Sequence, residues 1–343
     1  MATGAKQVLL NSIGTTISVI MPAYNACHFI GQSLPPLIEM LRKGDIDEVI
    51  VADDGSTDHS ASMAAEMGAQ VVFTGSRSGP GAARNKAAQV AKGEILWFVD
   101  ADVLVHPDAA AHVRSALANS DFVAVFGSYD DRPPARNFAS QYKNLIHHYY
   151  HHKGDRNAST FWAGCGAVRK EAFLEVGGFD VVRYPDASIE DIELGYRLRA
   201  GGRRILLEPR LQGTHLKVWR FGGMIHTDAF RRAVPWARLI VSQGGLLDDL
   251  NVSKVERLRA VLAGVLLLVV GGALFGMLPW WSAPLAFFTA VFANWNLFTF
   301  FRCRKGVPFA LGALLFHQFY YLYSGAIFAW HWLGASISAL RFR

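Results

Sequence analysis

Between residue 17 and about residue 128, short apolar runs alternate with longer stretches of helical character. Ile17–Met21, Asp47–Ala52, Val71–Thr74, Ile95–Val99 and Phe122–Phe126 read as strands, closed by polar, Gly or Pro turns. The stretches at 28–43, 58–67, 81–91 and 107–118 read as helices. This alternation predicts an α/β fold with a mostly parallel sheet and helices on both faces. Ligands in such sheets bind beyond the carboxyl ends of the strands. The polar clusters Pro22-Ala23-Tyr24-Asn25, Asp53-Asp54-Gly55-Ser56 and Asp100-Ala101-Asp102 all fall at those ends.

Residues 129–220 are less regular, with a Gly-rich stretch at Gly164–Gly166 and a predicted helix over Ile189–Ala200. From 219 to 247, aromatic and aliphatic residues interleave with arginines, which predicts a helical segment lying in a membrane interface. A packed surface helix is the alternative. Three apolar stretches then follow, at 260–278, 280–301 and 308–333. The first is uncharged and, at about 1.5 Å per residue, spans about 28 Å, close to a hydrocarbon core. Arg257 and Arg259 before the first stretch, and Arg302–Lys305 after the second, place both ends of a hairpin on the cytoplasmic side. The expected organisation is a cytoplasmic domain over 1–218, interfacial helices over 219–256 and about three transmembrane helices over 257–343. The expected location is the inner (cytoplasmic) membrane.

Composition sharpens this division. Charged residues are 18% of the chain but nearly vanish after Arg259, and hydrophobic residues reach 51%. The net charge is +6, with many basic residues between Arg197 and Arg259. That placement favours lipid headgroups or phosphorylated substrates, and no nucleic-acid signature accompanies it. The three cysteines are far apart and form no metal-ligand pair. The residues before Ile17 hold no apolar core long enough for a secretory signal.

Asp100 and Asp102 bracket one residue, Ala101, directly after a buried strand. Two carboxylates so placed suit a hard divalent cation such as Mg2+ or Mn2+, which binds through one or two carboxylates plus substrate phosphates. Asp53-Asp54 suits hydrogen bonding to a nucleotide base or ribose, with Pro22, Tyr24 and Asn25 as a neighbouring wall. An ordinary turn with a helix N-cap is the competing reading. Gly79–Asn85 opens a helix, which fits either a phosphate-binding entry or a plain Gly-rich loop. Arg84 within it offsets the charge of the aspartates or of a diphosphate. Glu190-Asp191 begins a helix, where the dipole alone favours acids, and Asp191 is also a candidate general base. Histidines 147, 148, 151 and 152 have helical metal-ligand spacing but no acidic or cysteine companion. An acceptor-side or membrane-facing helix is the preferred reading for them.

Taken in order, Pro22–Asn25, Asp53–Asp58, Gly81–Asn85, Asp100–Asp102, Gly164–Gly166, Gly177–Asp180 and Glu190-Asp191 resemble the inverting family 2 glycosyltransferases of membrane-associated bacterial type. The resemblance covers about residues 15–220. It implies a GT-A (Rossmann-like) fold and a nucleotide-sugar donor, UDP first. It further implies that Asp53 and Asp54 hold the base, that Asp100 and Asp102 form the metal motif, and that Asp191 is the base. His215 resembles a late histidine near the metal or diphosphate, with an exposed loop histidine as the alternative. The acceptor side would comprise Trp162, Gly164, Cys165, Gly166, Glu190 and Asp191. The Q-x-x-R-W sequence of processive synthases has no match. Arg231, Arg232 and Trp236 stand in its place as candidate donor-phosphate contacts, which favours single transfers.

The expected function is transfer of a sugar to a lipid-linked, polyprenyl-diphosphate-bound saccharide at the membrane. Polyprenyl-phosphate sugar synthesis is the alternative, and a non-catalytic sugar-nucleotide-binding scaffold is the alternative of another class.

Overall fold

The computed structural model describes residues 15–118, 121–243 and 250–341. The opening segment read above for a signal, residues 244–247 of the basic segment and the last two residues lie outside the described residues. The chain divides between Val218 and Trp219 into two compact units.

In the first unit the expected strands and helices form in order. These are β1 (Ile17–Ala23), α1 (Cys27–Lys43), β2 (Glu48–Asp53), α2 (Ser60–Glu66), β3 (Gln70–Phe73), α3 (Pro80–Val90) and β4 (Ile95–Val99). There follow β5 (Val103–Val105), α4 (Ala109–Ala118), β6 (Phe122–Tyr129), α5 (Phe138–Lys153), β7 (Asn157–Ala158) and β8 (Cys165–Arg169). The unit closes with α6 (Lys170–Glu175), α7 (Glu190–Ala200) and β9 (Arg204–His215). Alternate strand residues drive the assembly. Val19, Met21, Val49, Val51, Trp97 and Val99 share one core with Ile30, Leu34 and Leu37 of α1 and Val113 of α4. Phe98 points to the opposite face and meets Phe161, Phe173 and Phe179.

The nine strands form one sheet in the order β3-β2-β1-β4-β8-β6-β9-β5, with β7 also on β9. The first four are parallel, as expected. Beyond β4 the expectation of a mostly parallel sheet is corrected. β8 is antiparallel to both β4 and β6, β9 is parallel to β6, and β5 and β7 run antiparallel to β9. The inserted β8 matters for function, because it carries the 162–164 loop to the end of β4.

Within the histidine row on α5, His148 and His151 turn to the sheet and not to a membrane. Nδ1 of His148 lies 2.8 Å from the Tyr129 carbonyl oxygen, and Nδ1 of His151 lies 2.7 Å from that of Gly127. Both side chains are buried against β6, so this helix faces the sheet of its own unit. Among the described residues no three His, Cys, Asp or Glu side chains gather as a metal cage.

The second unit is helical: α8 (Phe221–His226), a π-helix (Thr227–Ala233), α9 (Val234–Ser242), α10 (Lys254–Leu274), α11 (Ser282–Ala293) and α12 (Trp295–Arg341). The expected three spans are not what forms. Among the described residues only α10 is long and apolar enough to cross a membrane, and α11 with α12 could count as one further span bent by 75°. Asn294 sits at the bend, its amide donating to the Ala290 carbonyl (2.9 Å) while Arg259 Nε donates to that of Ala293 (2.9 Å). A second break within α12 lies at Gly306, with φ of 82°. Asn294 thus interrupts the 280–301 run that composition alone reads as continuous, whereas Gly306 falls between that run and the next. Leu268, Phe275, Trp280, Phe288 and Phe292 are exposed along this region.

Candidate active site

Asp100, Ala101 and Asp102 form the turn from β4 into β5, and neighbouring elements hold each part of it. The Asp100 N–H donates to the Gly164 carbonyl (3.1 Å), and Ser33 Oγ of α1 donates to the Ala101 carbonyl (2.7 Å). The Leu216 N–H donates to the Asp102 carbonyl (2.8 Å). The β5–β9 ladder sets Val103 opposite His215, so that His215 Nε2 lies 3.5 Å from Asp102 Oδ2. His215 is buried and stacks on Tyr129 at 4.2 Å, which removes the exposed-loop alternative. Ala101 is buried, with its carbonyl engaged by Ser33.

Arg84 is 4% exposed and faces protein carboxylates. Its Nη2 donates to Asp100 Oδ1 (2.6 Å) and its Nη1 to Glu190 Oε1 (3.1 Å). Of the two roles read for it, charge compensation of the aspartates is the one its contacts serve. Next to it, the Asn85 side chain pins the Gly177–Asp180 turn by donating to the Phe179 carbonyl (2.8 Å) and accepting from the Phe179 N–H (2.9 Å).

Glu190 and Asp191 open α7. Asp191 Oδ2 accepts the Ala163 N–H (3.1 Å) and Oδ1 accepts the Ile192 N–H (2.8 Å). The consecutive residues Ala163 and Gly164 therefore touch the candidate base on one side and the metal motif on the other. Burial, reinforced by the neighbouring Glu190 charge, pushes the Asp191 carboxyl up to about 7. Burial also raises Asp100, aided by the Asp102 charge, although Arg84 opposes the rise. For Asp102, burial acts upward too, but the hydrogen bond and charge of His215 and the charge of Lys217 leave it below the usual carboxylate range.

The Asp53-Asp54 pair divides its work. Asp54 accepts the Ser78 and Gly79 N–H groups (both 2.8 Å) and the Thr74 hydroxyl (3.1 Å), fixing the loop before α3. Gly79 there has φ of 88°, and a Cβ on it would lie 2.0 Å from the Pro185 carbonyl oxygen. Close packing of protein on protein accounts for this glycine without a phosphate. Asp53 Oδ2 accepts the Ser56 N–H (3.1 Å), while its buried Oδ1 has no partner among the described residues. Asn25, with φ of 48°, accepts the Thr57 N–H (2.8 Å) and so braces the same turn. Pro22 lies in β1 opposite Ala52, and Tyr24 is exposed under the Arg77 guanidinium at 4.5 Å.

Replacing Asp54 by Ala would orphan two backbone donors, each costly to leave unmade. The expected loss is about 2 kcal/mol or more. A lowered unfolding midpoint in nucleotide-free protein checks this, and a midpoint equal to wild type contradicts it.

Two acceptor-side expectations are corrected. Cys165 and Gly166 lie within β8 and are buried, and burial pushes the Cys165 thiol up to about 12. Neither reaches a cleft. Arg231 and Arg232, in the π-helix, and Trp236, in α9, belong to the second unit, where both arginines are exposed. Tyr129 was not apparent from sequence as a site residue. Its position at the carboxyl end of β6, where an α/β sheet collects its ligands, was the available signal.

Asp102 and His215 are a carboxylate and an imidazole already side by side, and Asp100 presents a second carboxylate from the same turn. Carboxylate and imidazole are donor types that a divalent cation such as Mn2+ accepts.

Residues 18–177 match the model of the family described as Glycosyl transferase family 2. Over these residues the first unit resembles glycosyl transferase family 2 domains, and its fold is of the GT-A kind. Among curated proteins, the chain is 34% identical over 131 residues to glucosyl-3-phosphoglycerate synthase of Mycolicibacterium paratuberculosis, covering 35% of this chain and 39% of that one. It is 33% identical over 99 residues to poly(ribitol-phosphate) beta-glucosyltransferase of Bacillus spizizenii, covering 27% of this chain and 16% of that one. The matched stretches thus span well under half of either relative. Among solved structures, the mannosyltransferase PcManGT from Pyrobaculum calidifontis in complex with GDP-Man and Mn2+ is similar in fold. The TM-score is 0.54 at 20% identity, covering 95% of this chain and 93% of that one.

Proposed function

We propose that the protein is an inverting glycosyltransferase of the cytoplasmic membrane that moves a sugar from a nucleotide-sugar, with UDP first, to a lipid-linked saccharide. The observation that carries this reading is the placement of Asp191 on Ala163, one residue from the Gly164 carbonyl that holds Asp100. A candidate base and a candidate diphosphate-side motif thus meet across a single peptide unit.

Asp100, Asp102 and His215 would hold Mg2+ or Mn2+, which supplies positive charge to a leaving diphosphate. Asp53 Oδ1 offers one buried acceptor, and the uracil ring presents one N–H to such a group. Asp191 takes the proton of the acceptor hydroxyl as that oxygen attacks the anomeric carbon. Arg84 holds Glu190 and Asp100 in ion pairs, while burial and the Glu190 charge bring Asp191 up to about 7.

Membrane attachment rests on α10 and the exposed apolar side chains around it. The lipid-linked acceptor follows from that attachment. Nucleotide release from a panel of donors, measured with and without membrane lipid extract, tests the reading. Acceptor-stimulated release with labelled sugar in the lipid fraction is expected. Donor binding without release would reduce the protein to a sugar-nucleotide-binding scaffold. Product formed on bare polyprenyl phosphate alone would instead make it a lipid-phosphate sugar synthase.

A further inference from the structure

Trp162 precedes the two residues that link Asp191 to Asp100, and its indole lies over Gly164. A Cβ at position 164 would come within 2.5 Å of Trp162 Cε2 and Cζ2. The ring therefore occupies the space that a side chain would otherwise take beside the peptide joining base and metal motif. It meets Tyr129 edge-on, with centroids 4.8 Å apart and planes at 82°, and His147 at 4.5 Å. Tyr129 in turn stacks on His215 at 4.2 Å and 9°, and His215 faces Asp102. A row of aromatic rings thus runs from the metal motif to Trp162, and the residue that follows Trp162, Ala163, donates its N–H to Asp191. Trp162, Tyr129 and His147 are all partly exposed, whereas the neighbouring ring of Phe161 is 1% exposed.

Asp102 lies at one end of this row, and the Trp162 indole at the other end is one residue from the backbone N–H that Asp191 accepts. A pyranose ring has the matching chemistry, with a C–H face that stacks on an aromatic ring and hydroxyls at its edges. A small phosphorylated acid or a bare polyprenyl phosphate has no such face to offer. We infer that Trp162, backed by Tyr129, is the platform for the acceptor sugar ring, so that the acceptor group bearing the reactive hydroxyl is a pyranoside. The inference rests on the transferase reading above, with Asp191 as its base.

The test uses the full chain with octyl and methyl pyranosides as acceptor probes. Trp162→Leu is expected to raise the acceptor KM about tenfold, the scale of one lost aromatic contact, while the donor KM is unchanged. Trp162→Phe is expected to recover most of that loss. Methyl pyranosides are also expected to compete with the lipid acceptor in the wild-type protein, and 3-phosphoglycerate is not. An unchanged acceptor KM in Trp162→Leu overturns the platform. Should that variant fail to fold, competition by 3-phosphoglycerate but not by pyranosides in wild type overturns it equally. Failure of the wild type to turn over any nucleotide-sugar would count against the transferase reading itself, a separate outcome.

Discussion

Replacing Asp191 by Asn is expected to slow transfer about a thousandfold while leaving nucleotide affinity within about twofold, the range for loss of a positioned general base. The carboxylate is held by the Ala163 and Ile192 N–H groups, so its orientation is fixed before an acceptor arrives. Its proton affinity suits the task. An ordinary aspartate near 3.8 would be a weak base, whereas burial and Glu190 bring this one to about 7. The sign of the pH dependence follows. At pH 5 the carboxyl is protonated and cannot accept the hydroxyl proton, and transfer rises as pH passes through 7 and then levels. The same shift means that the folded state keeps a proton the unfolded chain has lost, so stability falls as pH rises from about 4 to about 7. The Asn variant loses the ascending limb of the rate profile. A pH–rate series with a parallel nucleotide titration checks both points. A variant with unchanged turnover would remove Asp191 from the mechanism.

Chelation of divalent ions is expected to abolish transfer, with recovery on adding Mg2+ or Mn2+. Asp102→Asn is expected to lower the rate at least about a hundredfold and to raise the donor KM, as loss of a group acting on the diphosphate end should. His215→Ala should be milder, because Asp102 and Asp100 remain. Asp102 is expected to be the better ligand of the pair. His215 and Lys217 keep it below the usual carboxylate range, whereas burial and Asp102 itself drive Asp100 upward. Titrating Mn2+ into each variant while following both metal affinity and turnover checks this order. Full activity in chelator would show that the diphosphate is neutralised by protein cations alone.

Half of the first unit could be read directly from residue order. β1, β2 and β4 are covered on both faces and so appear as near-continuous apolar runs that stop at polar turns, which places the aspartates at the strand ends. The later half could not be read this way. β9 spans Arg204–His215 with Arg204, Glu208, Arg210 and Gln212 along it, so no apolar run marks it. α5 is buried on several sides, which erases the one-sided pattern that identifies a surface helix. In the second unit, hydropathy counts apolar residues but does not register that Asn294 breaks the 280–301 run into two helices.

The site divides along the same line. Residue identity pointed to Asp54 as a carboxylate near a nucleotide, but only three-dimensional placement reveals Ser78, Gly79 and Thr74 already bonded to it. Arg84 was recognisable as a countercharge, yet its bond to Glu190 joins residues 106 positions apart and leaves no local trace. Trp162 and Tyr129 meet only because β8 is threaded between β4 and β6.

The central claim is a single displacement in which Asp191 deprotonates the acceptor as the nucleotide diphosphate leaves from the opposite side. The configuration of the new glycosidic bond tests it most directly. Product made from an α-linked nucleotide-sugar and analysed by NMR should carry a β-linkage. An α-linked product would require a second displacement or attack from the leaving-group side, and would contradict the account.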